Sequence, residues 1–204
     1  MTKTHDLTTG SLAGHFLRLA VPAAIGMVFS TLYNVVDVFF AGLISTDAQA
    51  GLAISFQAFF IFVTIGFGLG SAMTALVGNA IGAKDTAEAS KIAMQGIGFA
   101  IVASASLIMI ALFLGPHLLA FISTEGAYRD AGTAYFTVLL FSLPSFIMGY
   151  GLNGLLQARG DTVSMQYALI GAFFANIVLN PLMMFGIPGI WDGMGFDGIA
   201  AATV

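Results

Sequence analysis

Apolar residues dominate the chain in five long stretches that are separated by short polar segments. The stretches cover residues 16–44, 52–80, 92–114, 131–156 and 165–185. A helix rises about 1.5 Å per residue and the hydrocarbon core of a bilayer is about 30 Å thick, so about 20 apolar residues cross it. Each stretch therefore predicts one complete transmembrane helix. A sixth apolar stretch opens at residue 199 and is still running at residue 204, which predicts an incomplete sixth helix and looks like truncation.

The polar breaks carry residues that favour turns and helix boundaries. They contain Ser45 to Asp47, Gly82 to Asp85, Gly115 with Pro116, Gly160 with Asp161, and Pro188 with Gly189. The chain is thus predicted to be an all-α, polytopic membrane bundle. Residues 1–15 are expected to form a cytoplasmic N-terminal segment, and residues 16–204 a transmembrane unit.

Composition supports a membrane protein and excludes other classes. Hydrophobic residues make up 58% of the 204 residues, charged residues only 8%, and the mean hydropathy is +0.97. The net charge of −4 leaves no basic patch for a phosphate backbone, so we expect no nucleic-acid partner. The absence of Cys excludes thiol nucleophiles and Cys-ligated zinc.

Six basic residues predict the orientation, because Lys and Arg concentrate on the cytoplasmic side of membrane proteins. If the helices alternate in direction, Arg129 lies alone on one side of the membrane. The other side then carries Lys3, Arg18, Lys84, Lys91 and Arg159. The N-terminus is therefore expected in the cytoplasm.

Asp37 is the only one of ten acidic residues that lies well inside an apolar stretch. A carboxylate at membrane depth costs about 2.5–3.5 kcal/mol on insertion scales, so such a residue indicates a functional role. The alternative is a structural Asp that is hydrogen-bonded to neighbouring helices.

Helical spacing of about 100° per residue groups other polar side chains into stripes. The first helix carries such a stripe opposite the apolar residues Val28, Leu32, Val35 and Phe39. Its members are Gly26, Ser30, Tyr33, Asn34, Asp37 and Ala41. Similar stripes hold Gln57, Thr64, Gly68 and Ser71 on the second helix, Tyr135, Ser142, Phe146 and Asn153 on the fourth, and Gln166, Phe173, Asn176 and Asn180 on the fifth. Any single stripe is explained by hydrogen bonds between helices. Several together predict a shared cavity.

Counting residues from the helix ends places part of this polar set at one depth. Asp37, Asn176, Asn180 and Tyr135 all lie on the outer side of the predicted membrane, so they are expected to meet. Asn153 lies nearer the inner end of its helix. It is therefore expected to line the same cleft without touching Asp37.

Small residues and prolines add two expectations about the helices. Pairs at four-residue spacing, Gly66 with Gly70 and Gly78 with Gly82, predict close helix packing. Pro22 and Pro181 are candidates for helix bending, although a position near the helix start is an equal alternative for Pro22. Pro181 directly follows Asn180, which frees backbone carbonyls near the expected polar site.

Several motifs together resemble those of a known transporter family. They are LRLAVPA at residues 17–23, STLYNVVD at 30–37, GL at 42–43, GLNGLLQARGD at 151–161 and NIVLNP at 176–181. With them, the chain resembles the N-terminal half of a multidrug and toxic compound extrusion (MATE) transporter of the DinF-like bacterial branch.

The resemblance implies a twelve-helix antiporter of the bacterial inner membrane, built from two six-helix lobes. Such a protein exports cationic or amphipathic compounds in exchange for H⁺ or Na⁺. It is not an enzyme and needs no cofactor beyond the coupling ion. The C-terminal lobe, absent from this chain, would come from the same longer chain or from a second chain.

The resemblance also implies a cation site centred on Asp37. Positions matching Tyr33, Asn176 and Asn180 would assist it, together with Tyr135, Asn153 and Thr203, and Pro22 would be the bending point. The residues themselves add Asn34 as a group that could solvate the carboxylate, and Asp37, Asn176 and Asn180 as possible Na⁺ ligands. Some family members have a second acid where this chain has Asn180. A single charge weakens a Na⁺ site but leaves a proton site intact.

Two other functions stay open at this point. A flippase for a lipid-linked precursor would need basic residues in its cavity, and none of the six Lys and Arg lies in mid-span. A non-transporting membrane module is the second alternative. A membrane enzyme is disfavoured because the three His residues, His5, His15 and His117, all lie at span ends or in loops.

Overall fold

A computed structural model of the chain describes residues 11–203. Residues 1–10 of the predicted cytoplasmic segment 1–15 lie outside the described residues. Lys3 and His5 belong to this part of the chain. Residue 204, the last of the predicted sixth apolar stretch, also lies outside them.

Seven α-helices and one short β-hairpin make up the described chain. The membrane-crossing helices are α1 (Leu12–Ile44), α2 (Thr46–Gly82), α3 (Thr86–Ile122), α4 (Ala127–Leu139) continued by α5 (Leu143–Ala158), and α6 (Ser164–Phe185). The strands β1 (Gly186–Ile187) and β2 (Trp191–Asp192) then lead into α7 (Phe196–Thr203). Five segments are long and apolar enough to cross a membrane, which confirms the predicted class.

Capping residues explain where the first helices end and begin. The Ser45 side chain accepts a hydrogen bond from the Ala48 N–H at 3.0 Å, while the Ser45 N–H donates to the Ala41 carbonyl. One residue therefore ends α1 and starts α2. Asp85 starts α3 in the same way by accepting from the Glu88 N–H at 2.9 Å.

The predicted helix end at Gly115 and Pro116 is wrong, because α3 continues through both residues to Ile122. Proline removes only one helical hydrogen bond. In an apolar surrounding, ending the helix would leave several backbone groups without partners, so the continuous helix is preferred. Gly115 is needed for packing instead, since a Cβ there would collide with the Phe136 ring.

The fourth span is interrupted at its centre. A single 3₁₀ turn, Leu140–Ser142, separates α4 from α5, and Pro144 follows within the first turn of α5. Proline is well tolerated at this position of a helix because its missing N–H would have no helical acceptor there. The fourth span therefore consists of two helices, α4 and α5, rather than one.

The helices pack as two groups. One group has α2 at its centre, in contact with α3, α4 and α5, and the other pairs α6 with α1 and α7. Hydrogen bonds from side-chain hydroxyl groups connect the helices of the first group. Thr74 donates to the Gly154 carbonyl on α5 at 3.2 Å, and Ser55 donates to the Gly132 carbonyl on α4 at 2.7 Å. The groups meet where α7 packs on α4 and α1 on α2.

Close packing at glycine pairs is confirmed for the first predicted pair. Gly66 and Gly70 both lie against α5, near Ile147 and Tyr150. Of the second pair, Gly78 faces Ala158 on α5, but Gly82 has open space around it. The difference follows from position, since Gly82 is the last residue of α2.

Candidate functional site

Asp37 lies on the protein-facing side of α1 and is fully buried. The opposite face of the helix is exposed, with Val28 at 57%, Val35 at 55% and Phe39 at 60% of their surfaces accessible. These side chains lie on the outer surface of the helix bundle. The predicted apolar face of the first helix is therefore exposed, whereas the polar stripe is divided: Gly26, Asp37 and Ala41 are buried, and Ser30 and Asn34 are exposed.

Two amide groups from α6 hold one oxygen of the carboxylate. Asn176 Nδ2 donates to Asp37 Oδ1 at 3.0 Å, and Asn180 Nδ2 donates to the same oxygen at 2.7 Å. Asn180 Nδ2 also donates to Asn176 Oδ1 at 3.1 Å. Both asparagines are buried, and they stand one helical turn apart on one face of α6, as the sequence spacing predicts.

The second carboxylate oxygen has a weaker partner. Thr203 Oγ1, from α7, lies 3.4 Å from Asp37 Oδ2 and also donates to the Ile199 carbonyl at 3.2 Å. Tyr33 lies one turn before Asp37 on α1 and is half-buried. Asp37 Oδ2 is therefore the oxygen with capacity for a further interaction.

Two buried polar atoms near the carboxylate have no hydrogen-bond partner, Tyr135 Oη and Asn180 Oδ1. Buried polar groups are almost always paired, so each unpaired one needs an explanation. Tyr135 is fully buried between aromatic rings, 5.0 Å from the Phe196 ring centre and 5.9 Å from that of Phe56. Both free atoms are oxygens, which are the ligands that hard cations prefer.

The site has one carboxylate surrounded by uncharged groups. Among the side chains that the structure describes, no three His, Cys, Asp or Glu converge on a point. A cation here would therefore meet a single negative charge together with amide and hydroxyl oxygens. Such an arrangement can take up a proton or a small monovalent cation.

A cavity of about 600 Å³ lies between the two helix groups, bounded by α1, α2, α5 and α6. Its polar lining includes Ser30, Asn153 and Gln166, and its apolar lining includes Phe67 and Phe146. Asn153 lines this cavity, but Asp37, Asn176 and Asn180 do not. Stripe residues of α1, α5 and α6 line it and none of the α2 stripe does, so the shared cavity expected from the polar stripes is present only in part.

Some predicted site residues are not brought to the carboxylate. Asn34 is exposed, and its amide donates to the Ser30 carbonyl of its own helix at 2.9 Å. The α2 stripe is exposed at Gln57, Thr64 and Ser71. These side chains point away from the packed core. A stripe about 100° wide is broader than the surface that a single neighbouring helix covers, so some of its members stay exposed.

The two prolines differ in their surroundings. Pro22 lies well inside α1, which begins at Leu12, so the alternative of a helix-start role is wrong. Pro181 is inside α6, directly after Asn180. Both positions allow a bend, and the bending role of each stays a prediction.

The aromatic residues around Tyr135 could not be found from the sequence. Phe56 and Phe196 enclose its ring from α2 and α7. The chain has 19 Phe, and nothing in their local pattern separates these two from the exposed ones.

Comparison with known proteins gives consistent matches along the chain. Residues 22–182 match the family model described as MatE. The chain is 25% identical over 185 residues to the probable multidrug resistance protein YoeA of Bacillus subtilis, and covers 40% of that protein. It is 24% identical over 205 residues to an FAD transporter of Shewanella oneidensis, and covers 45% of it. These alignments cover 90% and 100% of the present chain.

Solved structures share the same fold. A MOP superfamily transporter from Pyrococcus furiosus superimposes with a TM-score of 0.87 at 25% sequence identity. The match covers 99% of the present chain and 44% of that structure. The chain therefore spans less than half the length of the relatives it matches.

Proposed function

Since the chain belongs to the MatE family and is a multi-pass membrane protein, we propose that it forms one lobe of a secondary active efflux transporter. The transported compounds would be amphipathic or cationic, and H⁺ or Na⁺ would move in exchange with Asp37 as the coupling carboxylate. The remaining lobe would be supplied by the same longer chain or by a second chain. We place the protein in a bacterial inner membrane with its N-terminus in the cytoplasm.

The burial of Asp37 among Asn176, Asn180 and Thr203 is the observation that carries this proposal. A buried carboxylate that is held by donors from two other helices links its charge to the positions of those helices. An ion shifts a conformational equilibrium only if it binds the two conformations with different affinity. The interhelical hydrogen bonds provide a physical basis for that difference.

The hydrogen-bond pattern supports proton coupling. Both amides donate to Oδ1, so a proton would enter on Oδ2 and could then be donated to Thr203 Oγ1. Thr203 would keep its own donation to the Ile199 carbonyl. Loss of the negative charge would weaken both amide hydrogen bonds, because bonds to charged acceptors are stronger. The contact between α1 and α6 would then be free to change.

Sodium coupling would use the same groups differently. Asp37 Oδ2, Thr203 Oγ1 and the unpaired Asn180 Oδ1 are hard oxygen ligands of the kind that Na⁺ accepts. Asn176 would keep the carboxylate oriented. The single negative charge favours the proton as the coupling ion. One carboxylate attracts Na⁺ less strongly than two would, and this attraction must compensate for the loss of the hydration shell of the ion.

The cavity supports the proposed class of transported compound. Among the side chains that the structure describes, no Lys, Arg, Asp or Glu lines it, and Phe67 packs against Tyr150 at its wall with ring centres 4.1 Å apart. Aromatic faces attract both flat apolar rings and organic cations. A lipid-linked pyrophosphate would find no basic group in this lining, which disfavours the flippase alternative.

Replacement of Asp37 by Asn in the complete protein tests the proposal. We expect Asp37→Asn to abolish the dependence of efflux on the ion gradient, with Asp47→Asn, an exposed acid in the first turn of α2, as the control. Efflux is measured in proteoliposomes with the pH gradient and the Na⁺ gradient imposed separately, which also identifies the ion. Ion-coupled efflux that survives in Asp37→Asn would refute the assignment.

A second measurement addresses the non-transporting alternative. The complete protein is reconstituted, and ion flux is recorded with and without an amphipathic cation such as ethidium. Flux that depends on the added compound is expected. Its absence in protein that is correctly inserted would favour a membrane module without transport activity.

A further inference from the structure

The first turn of α7 lies directly against the last turn of α6. Gly198, the third residue of α7, is buried at this contact. A Cβ atom built on it would lie 2.5 Å from the Met183 carbonyl oxygen, 2.6 Å from the Met183 carbonyl carbon and 2.8 Å from the Met184 nitrogen. All three are backbone atoms, so no side chain can rotate to make room. Any side chain at residue 198 must push the two helices apart.

The segment between the two helices fixes the same contact. The Met194 N–H donates to the Met183 carbonyl at 2.8 Å, and the Gly195 N–H donates to the Met184 carbonyl at 3.0 Å. These bonds pair carbonyls at the end of α6 that lack helical partners. Gly193 also packs on this turn, and a Cβ there would collide with the Met184 carbonyl. The end of α6, the hairpin and the start of α7 thus form one backbone-to-backbone clamp.

The two clamped helices carry the partners of Asp37. Asn176 and Asn180 project from α6, and Thr203 projects from α7, five residues or about 7.5 Å beyond Gly198. The Thr203 contact with Asp37 Oδ2 is already 3.4 Å long, near the upper limit for a hydrogen bond. A displacement of α7 by a few tenths of an ångström would therefore break it. Thr203 would still be paired, through the Ile199 carbonyl of its own helix.

We propose that Gly198 is a positioning residue of the ion-coupling site, which sets the distance between Thr203 and Asp37 by allowing α7 to touch the backbone of α6. The inference rests on the proposed role of Asp37. It assigns a function in ion coupling to a glycine that contacts neither the ion nor the transported compound.

Gly198→Ala in the complete protein tests the inference, with Gly171→Ala as the matched control. Gly171 lies on α6 and has no atom within 4 Å of its Cβ position. We expect Gly198→Ala to shift the concentration of coupling ion needed for half-maximal efflux by up to about tenfold, the effect of losing one hydrogen bond to a charged group. The concentration should fall if the ion is H⁺, because the ionised carboxylate loses a donor that favours its charged form, and should rise if the ion is Na⁺, because the ion loses an oxygen ligand. The KM for the exported compound should stay unchanged, and Gly171→Ala should behave as the wild type.

A double-mutant cycle with Thr203→Val separates positioning from general packing. If Gly198 acts through the Thr203 hydroxyl, the ion dependence of Gly198→Ala combined with Thr203→Val equals that of Thr203→Val alone. Effects that multiply would mean that Gly198 acts by another route, and they would overturn the inference.

A second variant covers the case in which Gly198→Ala does not accumulate in the membrane. Met194→Pro replaces the N–H that donates to the Met183 carbonyl with a ring carbon that faces that oxygen, so it opens the same contact without a change at residue 198. It is expected to give the same Thr203-dependent change, and a normal ion dependence would overturn the inference.

If Asp37→Asn retains coupling, the proposed function fails and this inference fails with it. If Asp37→Asn loses coupling while Gly198→Ala matches Gly171→Ala, the inference about Gly198 alone is wrong.

Discussion

At the scale of single residues, two aspartates show how surroundings decide the role of a carboxylate. Asp37 is buried among amide and hydroxyl groups from α6 and α7. Asp161 lies in the short connection between α5 and α6 and binds only backbone and side-chain donors of the following helix. The first links three helices, whereas the second starts one helix.

Asp161 is expected to stabilise the protein in a pH-dependent way. Ser164 donates to it through its hydroxyl at 2.6 Å and its N–H at 3.0 Å, and these bonds lower the pKa of the Asp161 carboxyl. Because the pKa is lower in the folded state than in the unfolded state, the stabilisation is present at neutral pH. It is lost as the pH falls through the folded-state pKa.

Thermal unfolding in detergent between pH 3 and pH 7 checks this prediction. Asp161→Asn should lower the free energy of unfolding at pH 7 by about 1 kcal/mol, the usual value of a helix cap, and should reduce the acid dependence. Asp192→Asn, an exposed residue of the hairpin, is the control. An unchanged acid dependence in Asp161→Asn would contradict the capping role.

At the scale of helices, the close crossing of α2 and α5 depends on glycine. Thr74 donates to the Gly154 carbonyl across the crossing, and a Cβ on Gly154 would collide with the backbone oxygen of Gly70. Neither helix can retreat without losing this hydrogen bond. In lipid, such contacts drive helix association because the surrounding tails are as apolar as the side chains.

Gly154→Ala should therefore destabilise the bundle, by about 1–3 kcal/mol as for other overpacked cores. Gly149→Ala on the same helix has no atom within 4 Å of its Cβ position and should be neutral. The two variants can be compared by SDS-induced unfolding of the purified protein. Equal stability of both variants would show that the crossing tolerates a side chain.

At the scale of the whole molecule, the few charges predict how the bundle sits in the membrane. Lys84, Lys91 and Arg159 lie at one end of the spanning helices, and Arg129 lies at the other. The excess of Lys and Arg is expected in the cytoplasm. The hairpin that carries Ile190 should then face outward.

Single Cys residues test this orientation, because the 204 residues contain none. In a complete protein free of other Cys, Ile190→Cys should react with a membrane-impermeant maleimide on intact cells. Ala87→Cys, exposed in the first turn of α3, should react only after the membrane is opened. The reverse pattern would invert the proposed topology.

Hydropathy along the chain is enough to predict the helical membrane class, the five spanning segments and the special position of Asp37. These features depend on local hydropathy and on one buried charge, both of which can be read along a single helix. Helical spacing also paired Asn176 with Asn180 on one face, because positions four residues apart always share a face. The motif resemblance supplied the family.

Packing between helices, by contrast, selects which polar residues meet. Asn34 and Asp37 belong to the same predicted stripe, yet only Asp37 faces α6, since a stripe about 100° wide borders more than one neighbouring helix. The continuation of α3 through Pro116 and the contact of Gly198 with α6 also depend on surroundings that are distant in sequence or set by the membrane. Local preference fixes helices, whereas contacts between helices fix the site.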